Sequence, residues 1–459
     1  MEKLKFTIKP YWSDNTVTAV DINAKIAAET IKGKKPALDF CSDAWENLIP
    51  FPEYEELKVS DDMGEIPFEI RESPSNWGGI NYKGLYFKRE VKGQVCYSYR
   101  IYPRILPEGY RSSPYYDFRN EPYGLNGSGC FAFILPYTTE NLLFDLQWDM
   151  SEMPKDARAI WSYGRGDTKK ELTPWDIRFT FFACGVMECE EEGDFGIYWF
   201  GEPTFNVRSV TKRLAKLFEY MAEFFQDNDS EYRIILRRDP FEYSGGGSAA
   251  ARSFISGYSA LGTVDVEEWY ATLAHEMVHN WPFFDDTVTG TGTWYSEGIA
   301  EYYSTVLPYR AGFLDAEYTV RQMNRRGKER YLDNIYREVP NMEIPAIQWK
   351  DRRAQTVPYG RGFVYLSNVE AQLNRAGKGS IDEITVLYTM PKKSLMTEMV
   401  WTEFIRERLG EEGLKEFEDM KAGKLVIPDK DGFGEAFTVV EDEIELDGRK
   451  EKTYRWILR

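Results

Sequence analysis

The sequence has few histidines, few cysteines and no long hydrophobic run. Only two of its 459 residues are histidine and five are cysteine. No stretch approaches the ~18 to 20 apolar residues that span a bilayer, and the first residues lack the apolar run of a signal peptide. We therefore expect a soluble protein without a membrane partner. A signal peptide removed upstream would leave the same start, so export stays an alternative.

Positive charge is also in deficit, with 57 lysines and arginines against 75 acidic residues and a net charge of -18. Because such a surface repels phosphate, the composition argues against a nucleic-acid partner. An odd number of cysteines in a large chain does not suit a disulfide framework. It favours a reducing compartment, and we expect a cytoplasmic location with all five cysteines buried as small apolar side chains.

The first half of the chain has the pattern of β-structure. Residues 16–22, 95–101 and 141–146 are rich in β-branched or aromatic residues, or partly alternate between apolar and polar. Glycine and proline turns separate these segments, as is typical of antiparallel sandwiches. The sequence predicts an N-terminal antiparallel β-sandwich over residues 1–200.

The hydrophobic period becomes helical after residue 200, with a strand at 232–236. Further helices are predicted at about 265–281, 294–307 and 359–376. The predicted fold is therefore α+β and multidomain. A mixed α/β domain over 201–380 follows the sandwich, and a mainly helical region over 381–459 ends in a β-hairpin whose turn is at Asp447 and Gly448.

The two histidines lie four residues apart, and Glu276 directly follows the first of them, His275. Two randomly placed histidines reach this spacing in roughly one of a few hundred chains. In the predicted helix, His275 and His279 point away from an apolar stripe and towards a cleft. That stripe comprises Tyr270, Ala274, Met277, Val278 and Trp281. Adjacent imidazoles are what Zn²⁺ requires from a single helix.

A catalytic zinc ion takes three protein ligands and leaves one position open for water. Glu297 and Glu301 lie one turn apart on the same face of the next predicted helix. One of them can bind the metal while the other supports it. Because a ligating imidazole needs an acceptor for its second N–H group, Glu301 is well placed to accept it. We expect one Zn²⁺ ion.

His-Glu-x-x-His followed by Glu-Gly on a second helix resembles the gluzincin metallopeptidases. Residues 296–301, Ser-Glu-Gly-Ile-Ala-Glu, are similar to the thermolysin pattern Asn-Glu-Gly-Ile-Ser-Asp. There the glutamate binds zinc and the aspartate steadies a histidine. The resemblance implies these roles for Glu297 and Glu301, and a thermolysin-like domain over 201–380. His-Asn-Trp at 279–281 and Trp-Tyr-Ser-Glu-Gly at 294–298 resemble the glycyl and alanyl aminopeptidases more narrowly.

Residues 357–363, Val-Pro-Tyr-Gly-Arg-Gly-Phe, resemble the Pro-Tyr-Glu-Lys-Gly segment of the alanyl group. Its tyrosine stabilises the oxyanion, and the resemblance implies this role for Tyr359. Glu276 cannot bind the metal from its helix position while both histidines do. We expect it to be the general base that takes the water's proton.

One segment departs from the aminopeptidase pattern. Gly245, Gly246 and Gly247 match a glycine-rich edge strand that we expect to pair with an extended peptide, but Ala249 stands where relatives have an amine-binding glutamate. The predicted function is zinc-dependent hydrolysis of peptides or small proteins, aminopeptidase-like with uncertain N-terminal specificity. The alternatives are an endopeptidase or a peptidase for blocked N-termini, an epoxide-type gluzincin hydrolase, and an inactive zinc-binding scaffold.

Overall fold

The computed structural model describes residues 2–44, 54–75, 80–104, 115–240, 246–285, 291–348, 350–389 and 394–459. They form two compact units, the first comprising Met1–Lys212 and Ser230–Val266, the second Arg213–Asp229 and Glu267–Arg459. The division into segments 1–200, 201–380 and 381–459 stays a prediction. Across the described ranges, no helix is long and apolar enough to cross a membrane.

The first unit is built from strands, with three short helices. The strands are β1 (Lys3–Ser13), β2 (Thr16–Ala27), β3 (Leu38–Ala44), β4 (Glu55–Asp61), β5 (Gly64–Glu65), β6 (Phe68–Glu72), β7 (Ile80–Phe87), β8 (Gln94–Ile101), β9 (Arg119–Glu121), β10 (Gly124–Ser128), β11 (Leu135–Pro136), β12 (Leu142–Trp148), β13 (Arg158–Trp161), β14 (Gly164–Arg165), β15 (Thr168–Leu172), β16 (Phe181–Gly185), β17 (Glu188–Glu192), β18 (Phe195–Trp199), β19 (Tyr232–Asp239), β20 (Gly247–Ala250) and β21 (Ser253–Ser259). The helices are α1 (Ala28–Ile31), α2 (Gly129–Ala132) and α3 (Pro174–Arg178).

Three of its sheets share one hydrophobic core. Their strand orders are β15-β12-β1-β2-β8-β4-β5, β14-β13-β16-β10-β9 and β11-β3-β7-β6. In β1 and β8 the side chains alternate between buried and more exposed positions, as a half-buried strand requires. The prediction of a purely antiparallel sandwich is wrong at one place. β1 pairs in parallel with β12, a strand from far along the chain that runs in the same direction.

The fourth sheet of this unit is mixed, in the order β17-β18-β19-β21-β20. Its three central strands are parallel, whereas β17 and β20 are antiparallel strands at the two edges. The predicted boundary at residue 200 falls between β18 and β19, two neighbouring strands of this sheet.

The remaining helices are α4 (Val207–Phe224), α5 (Val266–Val278), α6 (Thr293–Arg310), α7 (Ala316–Met323), α8 (Ile344–Ile347), α9 (Arg352–Ala376), α10 (Ile381–Leu387) and α11 (Glu398–Lys421). A π-helical segment, Asn324–Leu332, continues α7. The strands β22 (Phe437–Leu446) and β23 (Arg449–Leu458) form the terminal hairpin. Its predicted turn at Asp447 and Gly448 is confirmed, since both residues have positive φ angles.

Helices α6 and α9 approach each other at two glycines. A Cβ atom on Gly298 would lie 2.5 Å from the Cα atom of Gly362, and a Cβ atom on Gly362 would lie only 1.9 Å from the carbonyl oxygen of Trp294. Because these neighbouring atoms belong to the backbone, they cannot move aside as a flexible side chain would. The absence of a side chain at both positions therefore allows the two helices to touch.

Candidate metal centre

His275 lies on α5 and His279 directly follows the last residue of that helix, and both face away from the buried stripe. Tyr270, Ala274, Met277, Val278 and Trp281 are all buried, as predicted. His275 is 7% exposed, and Glu276 and His279 are half-buried. The apolar face packs into the core while the polar residues border a recess, which follows from the helical period.

Glu297 on α6 completes a group of three side chains that could hold a metal ion. Its Oε2 atom lies 3.2 Å from Nε2 of His275 and 3.5 Å from Nε2 of His279. The two Nε2 atoms are 3.2 Å apart, and one ligand atom from each residue lies within 4.8 Å of the others. Two imidazole nitrogens and one carboxylate oxygen are a donor set that zinc uses at catalytic sites, so these residues fit a zinc ion.

Glu301 lies behind His275, with its Oε1 atom 3.5 Å from the Nδ1 atom of that imidazole. It is 1% exposed. Burial by itself raises the pKa of Glu301, but the guanidinium groups of Arg330 and Arg326 outweigh burial and hold this pKa well below its usual value. Glu301 is therefore a carboxylate that can accept the Nδ1–H group of His275 and so fix the tautomer that offers Nε2 to a metal.

The carboxylates of Glu301 and Glu297 also change the pKa of His275. Burial alone lowers the pKa of His275, but the charge of Glu301 and the hydrogen bond with Glu297 raise it to about 10. On Glu297, burial raises the pKa, whereas the charge of His279 and the hydrogen bond with His275 lower it to about 2. The imidazole of His275 and the carboxylate of Glu297 therefore stabilise each other's charged forms.

Two arginines that hold Glu301 were not predicted from the sequence. The Nη1 atom of Arg326 lies 2.9 Å from Oε2 of Glu301, and Arg330 binds the other carboxylate oxygen through its Nη1 atom. Both arginines lie on the π-helical segment, whose register brings residues four or five apart to one side. A signal was present, because residues 325, 326, 328 and 330 are all basic in an otherwise acidic chain.

Trp281 fixes the end of the histidine-bearing segment. Its indole N–H donates to Oδ2 of Asp227 over 3.0 Å, and its ring stacks on Phe225 with centroids 5.0 Å apart. Trp281 is completely buried. Because it follows His279 by two residues, these contacts restrict where the second imidazole can lie.

Tyr359 lies on α9, and its ring stacks on the His275 ring with a centroid separation of 5.9 Å. Burial raises the pKa of Tyr359 well above its ordinary value, and the nearby carboxylates of Glu297 and Glu276 raise it further. The phenol therefore keeps its proton and can act as a hydrogen-bond donor. Burial also raises the pKa of Glu276, against the opposing charges of His275 and His279.

A cavity of about 100 Å³ borders these residues. Its lining combines carboxylates, guanidinium groups and the tyrosine ring: Ala271, Thr272, His275, Glu276, Glu301, Gln322, Arg325, Arg326, Arg330 and Tyr359. The proposed base and the proposed oxyanion donor therefore line one recess.

The glycine-rich segment belongs to the first unit. Gly245 lies outside the described residues. Gly246 has a φ of +92°, and Gly247 begins β20, the edge strand of the mixed sheet. An edge strand is present from Gly247 to Ala250, whereas its pairing with a peptide stays a prediction. The carbonyl of Ala249 accepts a hydrogen bond from the hydroxyl of Tyr116.

No protein-family model matches the sequence, and no curated protein matches it. Several solved structures, however, are similar to this chain. An aminopeptidase N family protein from Idiomarina loihiensis has a TM-score of 0.68 at 13% identity, over 97% of this chain and 80% of that one. An M1 zinc metallopeptidase from Deinococcus radiodurans, bound to Tyr-Ser-Ala, has a TM-score of 0.55 at 14% identity, over 93% and 95%.

Leukotriene A4 hydrolase from Saccharomyces cerevisiae is similar over 93% of this chain and 67% of its own, with a TM-score of 0.51 at 14% identity. Despite these low identities, the similarity to all three structures extends over more than nine-tenths of the chain. The chain therefore has the fold of the M1 zinc metallopeptidases.

Proposed function

We propose that this protein is a zinc-dependent peptidase. The observation that carries the proposal is the convergence of His275, His279 and Glu297, whose ligand atoms lie within 4.8 Å of one another, in a chain with the fold of M1 zinc metallopeptidases. These three side chains hold one Zn²⁺ ion. When bound, the ion lowers the pKa of a water molecule and polarises a carbonyl group.

Glu276 is the general base of the proposed reaction. It directly follows His275 on α5, lines the cavity and has a raised pKa, which suits a group that must accept and then release a proton. It takes a proton from the attacking water and passes it to the leaving amine. Tyr359 keeps its hydroxyl proton and donates a hydrogen bond to the developing oxyanion. Glu301 positions His275.

Zinc loading and a glutamine substitution test the proposal. Glu276→Gln keeps the size of the side chain but cannot accept the proton, so we expect normal zinc content and a loss of about two or more orders of magnitude in peptide hydrolysis. Glu267→Gln is the matched control, because this glutamate on the same helix is exposed and forms a surface ion pair with Arg213. Equal activity of the Glu276→Gln variant and the wild type would contradict the proposal.

The proposed specificity is aminopeptidase-like without a carboxylate at position 249 to hold the substrate's α-amino group. Burying an ammonium group without a counter-charge is unfavourable, so Ala249 should weaken the preference for free N-termini. Digestion of matched free and N-acetylated peptides, read by mass spectrometry, tests this. A strong preference for free N-termini would show that a group other than residue 249 binds the substrate's α-amino group. Internal cleavage would favour an endopeptidase, and turnover of epoxides but not amides would favour the hydrolase alternative.

A further inference from the structure

We propose that Arg330 binds a carboxylate group of the substrate in the cavity beside Glu276. The inference rests on the proposed peptidase function, since it names a class of substrate for that site. The carboxylate is either the C-terminus of a short peptide or an acidic side chain close to the scissile bond. Both present the same planar anion, which the guanidinium group of arginine recognises through paired hydrogen bonds.

Three arginines line the cavity, but two of them already bind other groups of the protein through several donors. Arg326 is buried and donates to the carbonyl oxygens of Glu301 and Ala271, besides its contact with the Glu301 carboxylate. Arg325 binds both carboxylate oxygens of Glu268, over 2.8 and 3.0 Å. Neither guanidinium group has the freedom to receive a ligand in a paired geometry.

Arg330 differs from both. Its Nη1 atom binds Glu301, while within the described part of the chain neither Nε nor Nη2 has a hydrogen-bond acceptor. The side chain is 31% exposed, and its Cζ atom lies 5.9 Å from the centre of the Tyr359 ring. Anchored at one nitrogen, the guanidinium group is held in place while its other donors stay available. A preorganised donor of this kind binds an anion with little loss of side-chain entropy.

The charges around Glu301 also favour an anion beside Arg330. One carboxylate faces two guanidinium groups, so Arg330 shares the single negative charge of Glu301 with Arg326. In the recess that borders Glu276 and Tyr359, an anion can therefore bind at the remaining donors of Arg330.

The test compares short peptides that differ only in the anion. One series carries a free C-terminal carboxylate or its amide, and a second, amidated series carries glutamate or glutamine next to the scissile bond. We expect the zinc-loaded wild type to favour the matching carboxylate by about tenfold in kcat/KM, the lower end for a charge-assisted hydrogen bond because Arg330 is partly exposed. The series that shows the preference identifies the source of the carboxylate.

Arg330→Gln should abolish this preference, and Arg330→Lys should restore part of it. Arg325→Gln is the matched control, because Arg325 lies on the same segment with 32% of its side chain exposed. It should retain the preference in full. If Arg330→Gln slows carboxylate and amide peptides equally, Arg330 acts only by positioning Glu301 and the proposal is wrong. Loss of the preference in Arg325→Gln alone would overturn it too.

A binding measurement separates this proposal from the proposed function. In the Glu276→Gln background, isothermal titration calorimetry with the preferred peptide and its uncharged partner measures carboxylate recognition without turnover. We expect about tenfold tighter binding of the carboxylate form, lost when Arg330→Gln is added. Equal affinities would refute the role of Arg330 even in an active peptidase. A preference that depends on Arg330 in a protein that hydrolyses no peptide would refute the peptidase function alone.

Discussion

Replacing Gly298 by alanine adds one methyl group where α6 meets α9. Its carbon would lie 2.5 Å from the Cα atom and 2.7 Å from the carbonyl carbon of Gly362. Ordinary contacts between carbon atoms are ~3.5 to 4.0 Å. The two helix backbones must therefore separate locally by about 1 Å.

Two opposing effects determine the size of the change. Alanine in a helix is favoured over glycine by about 1 kcal/mol, and overpacking costs about 1 to 3 kcal/mol. Because the obstacle is backbone, the cost lies at the upper end, and we expect a net destabilisation of about 2 kcal/mol. For a compact unit of roughly 200 residues, such a destabilisation lowers the Tm by about 5 °C.

The same displacement reaches the proposed catalytic groups. Glu297 immediately precedes Gly298, and Tyr359 lies about one turn before Gly362 on α9. A misplacement of about 1 Å at a reacting group costs on the order of a hundredfold in rate. We therefore expect kcat to fall by up to this factor, mainly because the Tyr359 hydroxyl no longer meets the oxyanion.

Thermal unfolding, kcat and zinc content are measured together for the Gly298→Ala variant. Ser296→Ala, at a half-buried position on the same helix, adds no atom and should stay within about 0.5 kcal/mol of the wild type. A Gly298→Ala protein with a raised Tm, as helix propensity alone predicts, and with normal kcat would refute the close contact between these helices. Loss of zinc in proportion to activity would instead assign the effect to the displacement of Glu297.

Further substitutions test individual contacts of the site. Tyr359→Phe should lower kcat with little change in zinc content, because only the oxyanion donor is lost; an equal loss of zinc would show a structural role. Glu301→Gln should weaken zinc binding by about 10- to 100-fold in a competition assay with a chelator, since a neutral amide is a poorer acceptor for Nδ1–H of His275; unchanged affinity would contradict that role. Trp281→Phe removes the hydrogen bond to Asp227 and should cost about 1 to 3 kcal/mol in unfolding free energy; a neutral change would show that the ring contacts carry this position.

The histidine-bearing helix could be predicted because its information is local. Spacing of four residues places His275 and His279 on one side of any α-helix, and an apolar stripe on the other side fixes which face is buried. The same argument placed Glu297 and Glu301 on one face of α6. Likewise, Asp447 and Gly448 predicted the terminal turn, because both residues adopt the positive φ angles that a tight hairpin requires.

Other features depend on segments that meet only in the folded chain. The parallel pairing of β1 with β12 joins residues near 3–8 to residues near 143–148, and neither strand alone indicates its partner's direction. In the same way, β17 and β18 resemble the strands of the preceding sheets in sequence but pair in a sheet with β19.

The sequence by itself predicted the candidate metal ligands and the helices on or beside which they lie, because helical periodicity relates residues only a few positions apart. The tertiary structure decided the rest of the site. It brought Tyr359 against His275, pressed α6 onto α9 at Gly298, and set Arg326 and Arg330 around Glu301. These contacts join residues about 25 to 85 positions apart. These contacts form when helices pack against one another, and the local periodicity of the sequence does not predict which helices pack together.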